Sequence, residues 1–348
     1  MRSQLAVTTA LLCVLAGSAA ATTPSMTTAE TAIVVPTVYE AGHFFATPQT
    51  MSDQTLKLLV DTGGGGNRGM YWVTAHAAKR LHLRTRSCKL GKDALTVANL
   101  PSFRFGRGLP PPLNSPCGKA LMVESVPYQG GDGQLGAGYL PGRVWTFDYP
   151  SHRLLVQAPQ WQPGASARAT KLGFPLGAHG ELTSGFARIT IQVAGKSIQM
   201  LLDTGATAHP TAAGERASAT PTVHGYGVTS YIDHRIFMRW HTMHPDWRIV
   251  KNGDDLFGKT RATDLIEVPN VVVAGWSVGP VWFTERPDHT FRSFMSSMMD
   301  ETVNGALGGN VFRHFTMTID YPQRVAYFSC TRGCKTAAPH SRARGITR

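Results

Sequence analysis

Beyond residue 21 no apolar run approaches the roughly 20 residues that a bilayer-spanning helix needs, so no membrane insertion is expected. Cysteine is scarce, at five in 348 residues, and no two stand in the Cys-x-x-Cys spacing of a structural zinc site. Acidic residues are outnumbered: 22 Asp and Glu against 34 Lys and Arg give a formal charge of +12. Such a balance suits nucleic acid or anionic envelope polymers. No nucleic-acid-binding motif accompanies it, so we read the charge as serving solubility or envelope attraction, with no nucleic-acid partner. The glycines from Gly63 to Gly66 lack the Gly-Lys-Ser/Thr ending of a phosphate loop. Ser184 has no Gly-x-Ser-x-Gly setting, which leaves a serine hydrolase without support. His241 and His244 have no Glu between them to act as a base and no identifiable further ligand. A solvated or packing role is expected for them, and no metal.

The first 21 residues differ from the rest. Arg2 supplies a positive start, Leu5 to Ala16 an apolar core of about a dozen residues, and Ala19-Ala20-Ala21 a small-residue cleavage site. We expect a signal peptide over 1–21, cut after Ala21, and an exported chain, periplasmic or secreted. Leu12 precedes Cys13, where a lipoprotein signal has a small residue, so no acylation is expected. Four cysteines then remain, and an even count in an exported protein suggests two disulfides. Cys330 with Cys334 would close a small loop after the last strand, and Cys88 with Cys117 would staple the first half; free buried thiols are the alternative. The segment 335–348, with Lys335, Arg342, Arg344 and Arg348, reads as a basic tail.

The length suits two lobes, each with its own core. Gly and Pro are frequent, and strand-like runs outnumber long helical patterns, which favours a mainly β protein. The two halves repeat one order of events. HFFATPQT (43–50), a break at 51–54 and LKLLV lead into Asp61. FARITIQV (186–193), a turn at 194–196 and SIQMLL lead into Asp203. Each reads as a β-hairpin whose second strand delivers Asp-Thr-Gly. Downstream, Leu135-Gly136 and Asp148-Tyr149-Pro150 match Leu307-Gly308 and Asp320-Tyr321-Pro322, at the same glycine-to-aspartate spacing. We read an internal duplication. The expected organisation is a first lobe over 22–157, a linker rich in Pro, Gly, Ala and Gln over 158–170, and a second lobe over 171–334. A short helix is expected over 72–83 and another over 231–244, where Ile232, Ile236, Phe237, Trp240 and Met243 form an apolar stripe. A polar insertion runs from His209 to about Gly227. Trp276, Trp282 and Phe283 are expected in the core.

An unpaired buried carboxylate is costly, so two of them behind apolar strands suggest that each answers the other. On these residues the chain resembles the aspartic proteases of the pepsin and retropepsin type, in a bacterial, two-lobed, single-chain form. The matching residues are Asp61-Thr62-Gly63 with Leu135-Gly136, and Asp203-Thr204-Gly205 with Leu307-Gly308. The resemblance covers most of 43–156 and 186–328. It implies a mainly β fold of two homologous β-barrel-like lobes with a few short helices, and a polypeptide substrate. It implies Asp61 and Asp203 as the catalytic pair, with Thr62 and Thr204 hydrogen-bonding across the two loops. Gly63 and Gly205 are expected to permit close approach and positive φ. Two carboxylates within hydrogen-bond reach share one proton. One then acts as base on a water while the other donates to the scissile carbonyl oxygen. No cofactor is implied, and because both lobes lie in one chain a monomer suffices.

Some features depart from that family's pattern. Pepsin-type enzymes usually carry Ser or Thr after Asp-Thr-Gly, whereas Gly64 and Ala206 stand here; retropepsins carry Ala. Without a hydroxyl donor the pair is expected to hold its proton to higher pH, giving an optimum less acidic than pepsin's. The family's flap often has a Tyr before Gly, but Leu90 to Glu124 contains no Tyr. Phe103, Phe105 and Gly106 to Pro112 are one candidate flap and Tyr226-Gly227 another. The leading reading is an exported aspartic endopeptidase. The other is an inactive descendant that binds peptide or envelope polymer in the same cleft.

Overall fold

The computed structural model describes residues 31–65, 69–113, 115–125 and 131–337. The expected signal peptide, Gly66 and residues 338–348 of the tail lie outside the described residues. The first half contains β1 (Ile33–Val35), β2 (Thr37–Glu40), β3 (His43–Ala46), β4 (Leu58–Val60), β5 (Trp72–Thr74), α1 (Ala75–Arg80), β6 (Thr85–Leu90), β7 (Asp93–Asn99), β8 (Ala120–Glu124), β9 (Gly133–Leu135), β10 (Val144–Asp148) and β11 (Arg153–Val156). The second half opens with β12 (Arg168–Lys171), β13 (Arg188–Val193), β14 (Lys196–Leu202), β15 (Thr207–Ala208), α2 (Ala212–Ser218), β16 (Gly227–Val228), β17 (Ser230–Asp233), α3 (His234–Met243), β18 (Ile249–Asp254) and β19 (Thr263–Val268). It continues with β20 (Val271–Val273), β21 (Trp276–Val278), β22 (Val281–Arg286), β23 (Gly305–Leu307), α4 (Gly309–Phe312), β24 (Phe315–Asp320), β25 (Val325–Cys330) and β26 (Cys334–Thr336).

The fold is mainly β with a few short helices, and its two halves form two lobes that share one sheet. Its sheets are open, so the lobes are barrel-like without being closed barrels. One sheet runs β2-β3-β4-β9-β5-β8-β7-β6 and comes wholly from the first half. A second runs β18-β19-β22-β17-β23-β14-β13-β20-β21-β26 and comes wholly from the second. A third, β1-β11-β10-β24-β25-β12, takes strands from both. In that shared sheet β10 lies antiparallel to β24, and Thr146 pairs with Thr318 at the middle of the register. Their hydroxyls are 2.8 Å apart. These two threonines are equivalent in the duplication, so the local twofold relation of the halves passes between them.

Burial follows the strand period. In β13, Ile189, Ile191 and Val193 face the core while Arg188, Thr190 and Gln192 are half-exposed. The run into the first Asp differs: Leu58, Leu59 and Val60 are all buried, because β4 lies inside its sheet between β3 and β9 with both faces covered. An apolar run with no alternation thus carries Asp61 out of a covered strand.

Several expected boundaries move. Trp72, Val73 and Thr74 form β5, and α1 starts only at Ala75, where Thr74 caps it by accepting from the Ala77 amide at 3.1 Å. The β-branched pair Val73-Thr74 prefers the pleated strand. Likewise Tyr231 and Ile232 belong to β17, and Asp233 caps α3 through the Ile236 amide at 2.7 Å. Ile236, Phe237 and Trp240 are buried as the stripe requires, whereas Met243 is exposed. The polar insertion holds an unexpected helix, α2, capped by Thr211. It buries only Gly214, so no apolar stripe announces it. The end of the expected linker forms β12, paired with β25.

Cys88–Cys117 and Cys330–Cys334 are disulfides. Trp282 and Phe283 are buried, and Trp276 is half-buried. His244 stacks on Trp247 with ring centroids 4.2 Å apart. Of the candidate flap residues, Phe103 bridges to Thr50 and Phe105 is fully exposed, outside any hairpin. The hairpin β6–β7 ends the first half's sheet, mostly exposed and tied through Cys88 to Cys117. Tyr226-Gly227 ends in β16, which pairs with β15. No helix among the described residues is long and apolar enough to cross a membrane.

Candidate active site

Each Asp-Thr-Gly loop hangs between two parallel strands. β4 pairs with β9, placing Val60 beside Leu135, and the Asp61 amide donates to the Leu135 carbonyl at 3.0 Å. β14 pairs with β23, placing Leu202 beside Leu307, and the Asp203 amide donates to the Leu307 carbonyl at 2.9 Å. The Leu-Gly elements therefore sit directly beside the Asp loops. A side chain on Gly136 would overlap the Gly65 carbonyl, and one on Gly308 the Thr229 carbonyl.

The two loops interlock through their threonines. The Thr62 hydroxyl donates to the Leu202 carbonyl at 2.7 Å and accepts from the Thr204 amide at 3.0 Å. The Thr204 hydroxyl donates to the Val60 carbonyl at 2.7 Å and accepts from the Thr62 amide at 3.1 Å. Both threonines are buried. Each hydroxyl spends donor and acceptor on the opposite loop, leaving neither loop free to retreat from the other.

This clasp brings Asp61 and Asp203 into hydrogen bond with each other. They are only 7% and 8% exposed, so water solvates neither charge fully. The Gly63 amide donates to Asp61 Oδ1 at 2.8 Å and the Gly205 amide to Asp203 Oδ1 at 3.0 Å. A Cβ on Gly63 would press on the Asp203 carboxyl, and one on Gly205 on the Asp61 carboxyl. Close approach is therefore why both are glycine. The expected positive φ is absent: neither glycine lies in the left-handed region.

Burial raises Asp203 well above the usual carboxylate range, and the charge of Asp61 raises it further. Burial also raises Asp61, but the hydrogen bond from Asp203 and the Gly63 amide pull it back. The two titrate as one unit and hold their shared proton above the usual carboxylate range.

The expectation drawn from Gly64 and Ala206 needs correcting on one side. Gly64 offers Asp61 no hydroxyl, but the side-chain amide of Gln134 donates to Asp61 Oδ2 at 2.5 Å, and the Trp72 indole donates to Gln134 Oε1 at 3.1 Å. The lost donor is replaced from β9.

Other groups around the pair escaped the sequence reading. Two buried phenols feel the pair across the halves: Tyr149 of the first half the charge of Asp203, and Tyr321 of the second the charge of Asp61. Both phenols are raised, chiefly by burial, and neither hydroxyl has a hydrogen-bond partner. His43, on β3, reaches the second loop, with Nε2 3.1 Å from Thr207 Oγ1. Burial lowers His43 to about 4, so it is neutral above that pH. The equal Asp-Tyr-Pro spacing in the two halves was the available signal for the tyrosines; His43 had none. A cavity of about 1100 Å³ begins at Gly65 and is lined by Ala137, Leu182, Phe186, Met298 and Tyr321 among others. Neither Asp61 nor Asp203 is on its wall.

No family model matches the sequence, and no curated protein matches it. Among solved structures, the chain is similar to the aspartic proteinase from Irpex lacteus, with a TM-score of 0.47 and 12% identity, over 87% of this chain and 98% of that one. It is also similar to conglutin gamma, a basic 7S globulin from lupine seeds (TM-score 0.46, 11% identity, 86% and 95% of the two chains). A third is EDGP, at TM-score 0.45 and 12% identity, over 87% and 95%.

Proposed function

We propose that this protein is an exported aspartic endopeptidase that acts as a single chain on polypeptides, with Asp61 and Asp203 as its catalytic pair. The observation that carries the reading is the buried pair of carboxyl groups, hydrogen-bonded to each other and clasped by Thr62 and Thr204. A charged Asp61 takes a proton from water as the water attacks the scissile carbonyl carbon. Protonated Asp203 donates to the carbonyl oxygen. The tetrahedral diol then collapses: its C–N bond breaks as the proton held on Asp61 passes to the leaving nitrogen, and one diol hydroxyl returns its proton to Asp203, which restores the pair. The cavity beyond Gly65 supports a polymeric substrate, since it has room for several side chains next to the first loop. The two disulfides support an oxidising, exported setting.

The test is digestion of a mixed peptide library from about pH 3 to pH 8, with products identified by mass spectrometry. Cleavage that a transition-state statin blocks, and that Asp61→Asn and Asp203→Asn both abolish, supports the proposal. No cleavage by a folded sample at any pH would replace catalysis with binding in the same cleft.

A further inference from the structure

The two halves place equivalent residues around their Asp loops but fill two positions differently. In the parallel pairings, Gln134 lies beside Leu59 where Ala306 lies beside Leu201. In the antiparallel pairings, Trp72 faces Gln134 where Tyr231 faces Ala306. The loops differ in step, with Gly64 in the first and Ala206 in the second. These differences belong together. A Cβ on Gly64 would overlap both the Gln134 amide and Asp61 Oδ2, so a side chain at 64 and a glutamine at 134 exclude each other. In the second lobe the space is closed by alanine on both sides. There Tyr231 serves the backbone, donating its hydroxyl to the Thr207 carbonyl and accepting from the Thr207 amide at 2.9 Å.

The hydrogen-bond directions in the first lobe are fixed by chemistry. An indole N–H only donates. Trp72 therefore claims the carbonyl end of Gln134, which is buried and cannot turn its amide elsewhere, and Nε2 is left to donate to Asp61. A donor held 2.5 Å from a carboxylate oxygen favours the ionised form.

We infer that Gln134, oriented by Trp72, is a positioning residue that keeps Asp61 the charged member of the pair, replacing from β9 the hydroxyl that the Gly64 position lacks. The inference deepens the endopeptidase reading and rests on it for its bearing on turnover. Its effect is one-sided. Loss of the first proton places the charge on Asp61, where Gln134 receives it, so the lower step of the pair is pulled down. The second proton leaves Asp203 with the Gln134 bond already made, so the upper step moves little. Gln134 thus extends the singly protonated form toward acid.

Of the other titratable groups near the pair, the tyrosines stay silent across that range, and His43 takes up a proton only at about 4 and below. Tyr149 and Tyr321 lie in the segments after β10 and β24, and Tyr231, on β17, is pushed up to about 12 by burial; all three are neutral phenols. Arg286 lies beyond Tyr231 and is paired with Asp254 at 2.8 Å. His43 is neutral above about 4.

The test is a carboxyl-carbon NMR titration of the full chain labelled at aspartate, with the two signals assigned through Asp61→Asn and Asp203→Asn. It needs no substrate. Gln134→Met keeps the side-chain volume and deletes the donor. It should raise the lower step by about one to two pH units, the worth of a hydrogen bond to a charged group, and leave the upper step nearly unmoved. Trp72→Phe keeps the amide but frees it to turn, and should give a smaller rise in the same step. If both variants change only thermal stability, or both steps move together, Gln134 is structural and the inference is overturned. Peptide cleavage separates the two claims. A wild-type chain that cleaves nothing, yet shows these shifts, sinks the endopeptidase reading and leaves Gln134's hold on Asp61 standing. A chain that cleaves, but whose acid limb of kcat/KM is unmoved by Gln134→Met, sinks this inference alone.

Discussion

Thr62→Val tests the clasp on which the site is built. Valine keeps the shape and removes the hydroxyl, at a position with no solvent access. Two hydrogen bonds are lost, to the Leu202 carbonyl at 2.7 Å and from the Thr204 amide at 3.0 Å. A buried polar group left without its partner costs about 1–3 kcal/mol, so the variant should lose about 2–5 kcal/mol. That is a large share of the roughly 5–15 kcal/mol typical of a folded protein. Thr204→Val removes the mirror-image pair and should cost about as much. The double variant should cost less than the two together, because each hydroxyl serves the other residue's amide and the loops part after the first loss. Urea denaturation followed by tryptophan fluorescence measures all three from the midpoint at constant slope. A loss below about 0.5 kcal/mol for either single variant, the level of an ordinary surface change, would refute the clasp.

Gly205→Ala places a methyl group against the Asp61 carboxyl, so the loops must part. A stability loss of about 1–3 kcal/mol and a broken Asp61–Asp203 hydrogen bond in the variant's crystal structure are expected; an unmoved loop would contradict the packing argument. The Asp203 carboxyl is raised by burial and by Asp61, so the folded chain keeps a proton that the unfolded chain has released. That contribution to stability is complete below the ordinary carboxylate pKa and is lost as pH rises through the raised one. Asp203→Asn removes the titration, so its stability relative to wild type should improve between about pH 4 and pH 7; a gap independent of pH speaks against the raised carboxyl. Replacing both Cys88 and Cys117 with Ser releases a loop with a sequence separation of 29. The expected loss is about 3–4 kcal/mol by loop entropy, and an unchanged denaturation midpoint would show that the staple contributes nothing.

The pair and its loops were legible because their chemistry is carried by adjacent residues. Asp61-Thr62-Gly63 and Asp203-Thr204-Gly205 each stand behind an apolar run, and the Leu-Gly pairs recur at matched distances. What surrounds them was not legible. Trp72 looked helical because it precedes alanines and basic residues, yet Val73 and Thr74 hold it in a strand. Gln134 reads in isolation as one polar residue at a strand end, and its partner lies 73 positions away. Setting the halves against each other exposes it, since Gln134 stands for Ala306 just where Gly64 stands for Ala206. Tyr149 and Tyr321 had the same kind of signal, and each phenol feels the charge of the other half's carboxyl. The helix α2 escaped for another reason: it buries one glycine and carries no apolar stripe.

The most direct test of the account is the hydrolysis rate of one peptide, chosen from the library digest, by wild type, Asp61→Asn, Asp203→Asn and the double variant. Two carboxyls that share one proton act as a unit, so each single change should cost about 10³-fold or more in kcat, and the double no more than either alone. A single variant that keeps wild-type activity, or losses that multiply in the double, would contradict a shared-proton pair.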